Sequence, residues 1–198
     1  MLKIAVLVSG GGTDLQSIID AVNNNEINGE ISLVISNRNK AYGLTRAKDN
    51  GIETAVVKKN DELIIKMLKE RNIDLVVLAG YLAILTDEFI DAYKNKIINI
   101  HPSLIPSFCG PGFYGIHVHE EVLKRGVKVS GATVHFVSSE VDGGPIIIQR
   151  ACDISDLDTP EDIQQRVLKI EHKILPEAVG LFCDNKIKII NGKVKIER

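Results

Sequence analysis

The feature that most constrains this chain is a regular alternation of short apolar runs with amphipathic segments in its first half. Five runs rich in β-branched residues, KIAVLV, ISLVIS, ETAVV, DLVVLAG and KIINI, are separated by segments whose apolar residues recur at helical spacing. Strands that are apolar along their whole length are buried on both faces, which is typical of a parallel sheet covered by helices. The pattern therefore predicts an α/β, Rossmann-like, doubly wound fold.

The pattern changes after Asn99. GATVHFV and PIIIQRA, joined by a glycine-rich turn, predict two antiparallel strands at one edge of the sheet. A long helix is expected from Pro160 to about Phe182, followed by a small hairpin with Asn191-Gly192 at its tip. We therefore expect a mostly parallel sheet with antiparallel C-terminal edge strands, in a single domain over residues 1–198.

Composition and charge exclude several classes of protein. The 198 residues are 44% hydrophobic and 25% charged, with a formal net charge of only -2, so we expect neither nucleic acid nor a membrane as a partner. The N-terminal run MLKIAVLV is too short for a membrane span and lacks a signal-peptide cleavage pattern, so we expect a cytoplasmic protein. Three widely spaced cysteines, Cys109, Cys152 and Cys183, disfavour a disulfide framework and a metal site.

The first candidate site is SGGGTDLQ, Ser9 to Gln16, which follows the first strand and opens the first helix. Glycines let the backbone approach a ligand, and the free N–H groups at a helix start favour a phosphate. The segment has neither the GxGxxG spacing of a dinucleotide site nor the GK[ST] ending of a triphosphate site, so a small monophosphate suits it better. A tight turn that binds nothing is an equally good interpretation. Thr13 or Asp14 is the expected helix cap.

The second candidate site is the strand end NIHPSL. Alternate side chains of a strand share a face, so Asn99 and His101 project together, and Pro102 donates no hydrogen bond that would extend the ladder. A hydrogen-bonded histidine at a capped strand end is the ordinary alternative. Position favours a functional role, because open α/β sheets bind ligands at the carboxyl ends of their parallel strands, where SGGG is also expected.

Other polar residues allow two interpretations each. Asp142 in VDGGP is either an ordinary turn residue or a carboxylate that reaches His101 and favours the imidazolium. His117 and His119 are two apart on a predicted helix, so their rings point to different sides and we expect surface or loop-packing residues rather than metal ligands. His135 is most simply a buried histidine bonded to a neighbour, or else a support for a site residue. Glu171, on the last long helix, is by default solvated.

Six segments together carry a family resemblance. SGGGTDLQ, VVLAGYLAIL, NIHPSLIP, GATVHFV, VDGGPIIIQ and EHKILP occur in the order and at roughly the spacing found in the glycinamide ribonucleotide transformylases, the folate-dependent phosphoribosylglycinamide formyltransferases of purine synthesis. The resemblance covers nearly the whole chain. It implies a formyltransferase domain whose N-terminal half binds the ribonucleotide and whose C-terminal half binds folate and carries catalysis.

The resemblance also implies a role for individual residues. Gly12, Thr13 and Asp14 match the loop that holds the ribonucleotide phosphate, and Glu171 matches a carboxylate that contacts the same substrate. The catalytic residues that it implies are Asn99, His101 and Asp142. The folate-binding residues that it implies are Leu82, Ala83, Ile84, Leu85, Asn99, Val137, Ser139 and Val141.

The reaction implied by the resemblance is formyl transfer from 10-formyltetrahydrofolate, a co-substrate, to the amine of 5'-phosphoribosylglycinamide. Asn99 and a protonated His101 would donate hydrogen bonds to the oxyanion that forms. Asp142 would raise the pKa of His101 and help to carry a proton from the amine to the folate nitrogen. No metal is required, the partners are small molecules, and the expected state is a monomer or a weak homodimer.

Departures from the family pattern and rival functions are also part of the prediction. Ala83 stands where the family usually has arginine, and the stretch before KKNDELIIKML that usually carries a folate-contacting arginine is shorter here. The contact to the folate tail is therefore unassigned, with Lys58 or Lys59 as weak candidates. The longer loop at 104–116 is expected to close over the site. A methionyl-tRNA formyltransferase would need a C-terminal domain and a formyltetrahydrofolate hydrolase an N-terminal one, and we expect neither to fit within 198 residues. A non-catalytic nucleotide-binding module would leave His101 unimportant.

Overall fold

The computed structural model describes residues 1–197 and contains the nine predicted strands. The strands of the first half are β1 (Leu2–Val8), β2 (Gly29–Ser36), β3 (Thr54–Val56), β4 (Leu75–Leu78) and β5 (Ile97–His101). The strands of the second half are β6 (Val129–Phe136), β7 (Ile146–Asp153), β8 (Ile187–Ile190) and β9 (Lys193–Ile196).

Seven strands form the main sheet in the order β3-β2-β1-β4-β5-β6-β7. Neighbours among the first five strands pair in parallel, whereas β6 pairs antiparallel with both β5 and β7. The remaining strands β8 and β9 form a separate hairpin, and Asn191 and Gly192 at its tip both have positive φ, as a type I′ turn requires. The predicted α/β class with antiparallel C-terminal edge strands is confirmed.

Six helices cover the sheet: α1 (Thr13–Asn23), α2 (Tyr42–Asp49), α3 (Asp61–Glu70), α4 (Asp87–Ala92), α5 (Ile116–Arg125) and α6 (Pro160–Cys183). Asn60 and Thr86 cap α3 and α4, since each side chain accepts the backbone N–H three residues ahead. The expected cap of α1 by Thr13 or Asp14 is wrong, because Gly12 occupies the N-cap position in a left-handed conformation and has no side chain to serve the first turn.

The core lies on both faces of the sheet, as the continuous apolar strands predict. Along β1, Ile4 and Val6 face a cluster that includes buried side chains of α1, α5 and α6, while Ala5 and Leu7 face a second cluster that includes buried side chains of α3 and α4. Within residues 1–197, no helix is both long and apolar enough to span a bilayer.

The sheet changes direction between β1 and β4, because the chain runs outward from β1 to β3 and then returns to the other side of β1. A single hydroxyl joins the loops at this point. Ser9 Oγ donates to Asn37 Oδ1 at 2.7 Å and accepts from Leu82 N at 2.9 Å, which connects the loops that follow β1, β2 and β4. In open α/β sheets such a switch point opens the crevice in which ligands bind.

The second cluster supplies a test of the packing. Ile64 on α3 is 0% exposed, whereas its neighbour Leu63 is 42% exposed. Ile64→Ala should lower the free energy of unfolding by roughly 2–5 kcal/mol, because it removes buried contacts and leaves a cavity. Leu63→Ala, the control, should lower it by less than about 1 kcal/mol. Equal effects in urea denaturation would contradict this placement of α3.

Candidate active site

The main cavity opens at the carboxyl ends of the parallel strands and has a volume of about 810 Å³. The structure brings every predicted catalytic, ribonucleotide-binding and pterin-pocket residue to its lining, but not Lys58 or Lys59, the weak candidates for the folate tail. The predicted residues that line it are Gly12, Thr13, Asp14, Leu82, Ala83, Ile84, Leu85, Asn99, His101, Val137, Ser139, Val141, Asp142 and Glu171. Segments that are far apart in the sequence therefore share one cavity.

The Asn99, His101 and Asp142 side chains meet at one end of this cavity. Asn99 and His101 lie at the end of β5, and Asp142 lies in the turn between β6 and β7 with a left-handed backbone, φ 56°. His101 Nδ1 is 3.6 Å from Asp142 Oδ2, and the two side chains are 5% and 10% exposed. The carboxylate thus reaches the imidazole, as the functional interpretation of VDGGP predicts.

His135 links Asn99 to Asp142 from the neighbouring strand β6. Its Nδ1 donates to the carbonyl of Phe136 at 2.8 Å, since a carbonyl can only accept. In the neutral ring Nε2 is then an acceptor, and it lies 3.1 Å from Asn99 Nδ2 and 3.6 Å from Asp142 Oδ1. This contact orients the Asn99 amide, which keeps its second N–H for another partner. The sequence prediction allowed a supporting role for His135 without identifying the residue it supports.

Residues of the loop after β5 contact both His101 and Asp142. His101 Nε2 donates to the carbonyl of Phe108 at 2.9 Å, and Gly110 N donates to Asp142 Oδ2 at 2.8 Å. The 104–116 loop therefore covers this end of the cavity. A direct hydrogen bond from Nε2 to a substrate therefore requires the Phe108 carbonyl to be exchanged for that substrate, whereas Nδ1, which has no proton in the neutral ring, faces Asp142 Oδ2 at 3.6 Å, beyond hydrogen-bond distance.

Burial determines the protonation of this group of residues. It lowers the pKa of His101, and the opposing effects of Asp142 and the Phe108 carbonyl do not reverse the shift. Asp142 thus acts in the predicted direction, but the expected net rise in the pKa of His101 is wrong, because desolvation of the charged ring is the larger effect. Although burial raises the pKa of Asp142, contacts with His135, His101 and Gly110 bring it below its ordinary value.

The glycine loop provides backbone donors at the start of α1. Gly12 has φ 69°, and a Cβ there would lie 2.6 Å from the Cα of Gly43, so this position requires glycine. Arg46 Nε donates to the Gly11 carbonyl at 2.8 Å, and Gly43 N donates to the Gly10 carbonyl at 3.0 Å. The first N–H groups of any α-helix have no partner within the helix, and Gly12 supplies no side-chain acceptor. This loop is built like an anion site.

Two carboxyl groups are buried beside the glycine loop. Asp14 is 8% exposed and Glu171, on α6, is 6% exposed, so the solvated position expected by default for Glu171 is wrong. Burial raises the pKa of Asp14 to about 6, and burial together with the charge of Asp14 raises the pKa of Glu171 well above its ordinary value. His172 Nε2 approaches Asp14 Oδ1 at 3.7 Å.

His119 and Arg38 are among the cavity residues that the sequence analysis did not identify. His119 is 1% exposed and lines the cavity, and burial, followed by the charge of His101, lowers its pKa to about 4. The spacing correctly predicts that the rings of His117 and His119 point to different sides of the helix. His117 is exposed and bonded to Glu120, but only the packing shows which of the two rings is buried. Arg38 also lines the cavity, and its place just after β2, at the same sheet edge, could have indicated it.

Apolar side chains that are open to solvent form part of the cavity lining. Leu82 is 44% exposed, Ile84 78% and Val141 38%, while the neighbouring Leu85 is buried. Lys58 and Lys59 are exposed and lie outside the set of described residues that line the cavity. An open apolar rim of this kind suits a flat ligand that is partly covered.

Comparisons with known proteins agree with this geometry. The family model described as formyl transferase matches residues 2–179. The chain belongs to the formyl transferase family. Relatives named phosphoribosylglycinamide formyltransferase include one from Haemophilus influenzae, 41% identical over 96% of this chain and 91% of its own, and one from Escherichia coli, 38% identical over 95% and 90%.

Solved structures support the same family assignment. A glycinamide ribonucleotide transformylase from Symbiobacterium toebii superimposes with a TM-score of 0.94 at 40% identity, covering 100% of this chain and 95% of its own. A formyltetrahydrofolate deformylase from Pseudomonas syringae has a TM-score of 0.91 but only 24% identity, and covers 100% of this chain and 66% of its own, so it shows the fold alone.

The buried carboxyl pair gives a prediction for stability against pH. The pKa of the Asp14 carboxyl group is raised from 3.8 to about 6. Between these two pH values the folded state therefore keeps a proton that the unfolded state has already released. Its contribution to stability is therefore full below about pH 4, falls as the pH rises to about 6, and stays low above it. Asp14→Asn should remove this loss, on the order of 1–3 kcal/mol at pH 8.

Urea denaturation at pH 4.5 and pH 8 measures this effect as the difference between variant and wild type. Asp20→Asn is the matched control, since it removes the same charge from an exposed position of α1. A difference for Asp14→Asn that is the same at both pH values would contradict the linkage.

Proposed function

We propose that this formyltransferase transfers the formyl group of 10-formyltetrahydrofolate to the amine of 5'-phosphoribosylglycinamide. The observation that carries the proposal is the meeting of Asn99, His101 and Asp142 in the same cavity as the glycine loop. Two relatives that share 38–41% identity with this chain are named phosphoribosylglycinamide formyltransferase, and this name supports the choice of amine substrate.

The ribonucleotide occupies the end of the cavity formed by the N-terminal half of the chain. Its phosphate lies against the backbone N–H groups of Gly12, Thr13 and Asp14, where the helix dipole favours negative charge. Arg38 lines the same cavity and adds a positive charge. Glu171 contacts the same substrate from α6. This placement leaves the amine to point toward Asn99.

The folate occupies the part of the cavity between the loop that follows β4 and the turn between β6 and β7. Leu82 to Leu85 form one wall of the pterin site, and Val137, Ser139 and Val141 form the other. The exposed Leu82, Ile84 and Val141 lie where a benzoyl group would leave the cavity. The formyl group then lies beside Asn99, between the two substrates.

The reaction begins when the neutral amine attacks the formyl carbon. A new C–N bond forms, the carbonyl oxygen becomes an oxyanion, and the amine nitrogen becomes a cation. The second N–H of Asn99, held in place by His135, donates to this oxygen. A donor that is in place before the charge develops stabilises the transition state more than the ground state.

His101 and Asp142 transfer the proton that the amine releases. Because burial lowers the pKa of His101, the ring is neutral near pH 7 before the attack. Nδ1, the nitrogen that has no proton while Nε2 donates to Phe108, takes up the proton that the amine releases, and the Asp142 carboxylate 3.6 Å away stabilises the imidazolium. The proton then passes to the folate nitrogen as the bond from that nitrogen to the formyl carbon breaks. Tetrahydrofolate and the formylated amine are the products.

The direct test is consumption of 10-formyltetrahydrofolate with and without 5'-phosphoribosylglycinamide. We expect rapid formation of tetrahydrofolate only with the amine present. Consumption at the same rate without the amine would indicate a hydrolase and contradict the proposal. No consumption under either condition would favour a non-catalytic nucleotide-binding module.

Substitution at the proposed oxyanion donor gives a second prediction. Asn99→Ala should lower kcat about a hundredfold, or ~3 kcal/mol, because one preorganised donor is lost. The melting temperature should change little, since Asn99 is only partly buried at a strand end. A large loss of melting temperature with an unchanged kcat would indicate a structural role instead.

A matched histidine pair tests the proposed proton carrier. His101→Ala should lower kcat by about a hundredfold or more, since a general acid–base group contributes roughly 10²–10⁴-fold. His117→Ala is the control, because His117 is on the same helix as His119 but its side chain is 53% exposed and does not line the cavity, and it should retain the wild-type rate. Equal rates for the two variants would exclude His101 from the reaction.

A further inference from the structure

We propose that Asp14 takes up a proton when the phosphate group of the ribonucleotide binds at the start of α1. Binding of this substrate is then coupled to pH through a single carboxyl group, separately from the chemistry at His101. The inference deepens the proposed function, since it concerns the phosphate end of the same cavity.

The position of the Asp14 side chain carries this inference. Asp14 is the second residue of α1 and lines the cavity next to Gly12 and Thr13. Its Oδ1 is buried and has no hydrogen-bond partner within the described residues. Glu171 lines the same cavity from α6 and is equally buried. A phosphate that binds the backbone N–H groups here must therefore approach two buried carboxyl groups.

Few positive charges offset these carboxyl groups. Arg38 is the one lysine or arginine among the cavity-lining residues of the described chain. Arg46, on α2, is already bonded to the Gly11 carbonyl and to Gln16 Oε1. The ionisable groups around Asp14 are Glu171 and His172 on α6, Arg46 on α2, Arg38 after β2, and Asp20 two turns along α1.

The conflict between like charges is resolved by protonation. A phosphate monoester carries close to two negative charges above pH 7. With Asp14 ionised, ligand and carboxylate repel each other in a site of low dielectric, whereas a protonated Asp14 donates a hydrogen bond to a phosphate oxygen. The proton comes from solvent. It makes the negative charge of the site with bound phosphate one unit smaller than it would be with Asp14 ionised.

The raised pKa of Asp14 in the free protein reduces the further pKa shift that ligand binding must supply. Burial has already raised the pKa of Asp14 to about 6, so addition of a dianion needs to raise it by only a little more to hold a proton at neutral pH. The pKa of Glu171 is also raised well above its ordinary value, by burial and then by the charge of Asp14.

The experiment is calorimetric titration of the whole protein with ribose 5-phosphate, which carries the phosphate and lacks the amine. At pH 7.5, titrations in HEPES and in Tris, which differ in ionisation enthalpy, give the number of protons bound. We expect an uptake of more than about half a proton and a Kd that increases from pH 7 to pH 8.5, by at most about tenfold per pH unit. Asp14→Asn should take up few protons, and its Kd should change less than about twofold over this range.

Asp20→Asn is the matched control. It removes the same charge from the same helix, but Asp20 lines a separate groove between α1 and α6. Its proton uptake and the pH dependence of its Kd should equal those of wild type. The wild-type titrations in two buffers also test the inference without any variant, in case Asp14→Asn does not fold.

Three outcomes would overturn the inference. Ribose 5-phosphate that binds with no proton uptake would exclude the coupling and leave the proposed function intact. Uptake that persists in Asp14→Asn would assign the proton to another group, with His172 the nearest candidate at 3.7 Å. Failure of wild type and both variants to bind would overturn the ribonucleotide assignment as well.

Coupled binding without formyl transfer in the assay would support the inference and contradict the proposed function alone.

Discussion

The constraint on which this structure depends is the parallel pairing of five strands that are buried on both faces. Parallel strands end at the same edge of the sheet, so the segments that follow β1, β2, β4 and β5 are all delivered to one crevice. The hydroxyl of Ser9 fixes two of these segments relative to β1 through Asn37 and the backbone of Leu82. The antiparallel β6 and β7 then add the turn that carries Asp142.

Desolvation is the dominant electrostatic effect at both ends of the cavity. At one end it keeps His101 neutral although a carboxylate lies 3.6 Å away, and at the other it favours protonated Asp14 and Glu171. A neutral imidazole accepts the proton that an attacking amine releases, while neutral carboxyl groups tolerate a phosphate. The same physical cause thus suits each end of the cavity to a different part of the proposed substrates.

Local chemistry explains which predictions from the sequence were correct and which were wrong. The caps at Asn60 and Thr86 follow from the preference of their side chains for backbone N–H groups within three residues. The errors at Glu171 and His119 share another cause. Glu171 was expected to be solvated and His119 to be a surface or loop-packing residue, but the neighbouring elements bury both against the cavity. Helical periodicity does not show what covers a polar position.

The sequence by itself determined the order of elements, the parallel half of the sheet, the antiparallel C-terminal strands and the set of candidate residues, because strand and helix periods and turn residues are local signals. Only the tertiary structure decided that Asp142, 41 positions after His101 in the sequence, reaches the imidazole, that His135 orients Asn99, and that Asp14 and Glu171 are buried at the same cavity. These contacts join distant segments, and their protonation depends on burial. Burial is a property of the packed molecule, and no stretch of sequence carries it alone.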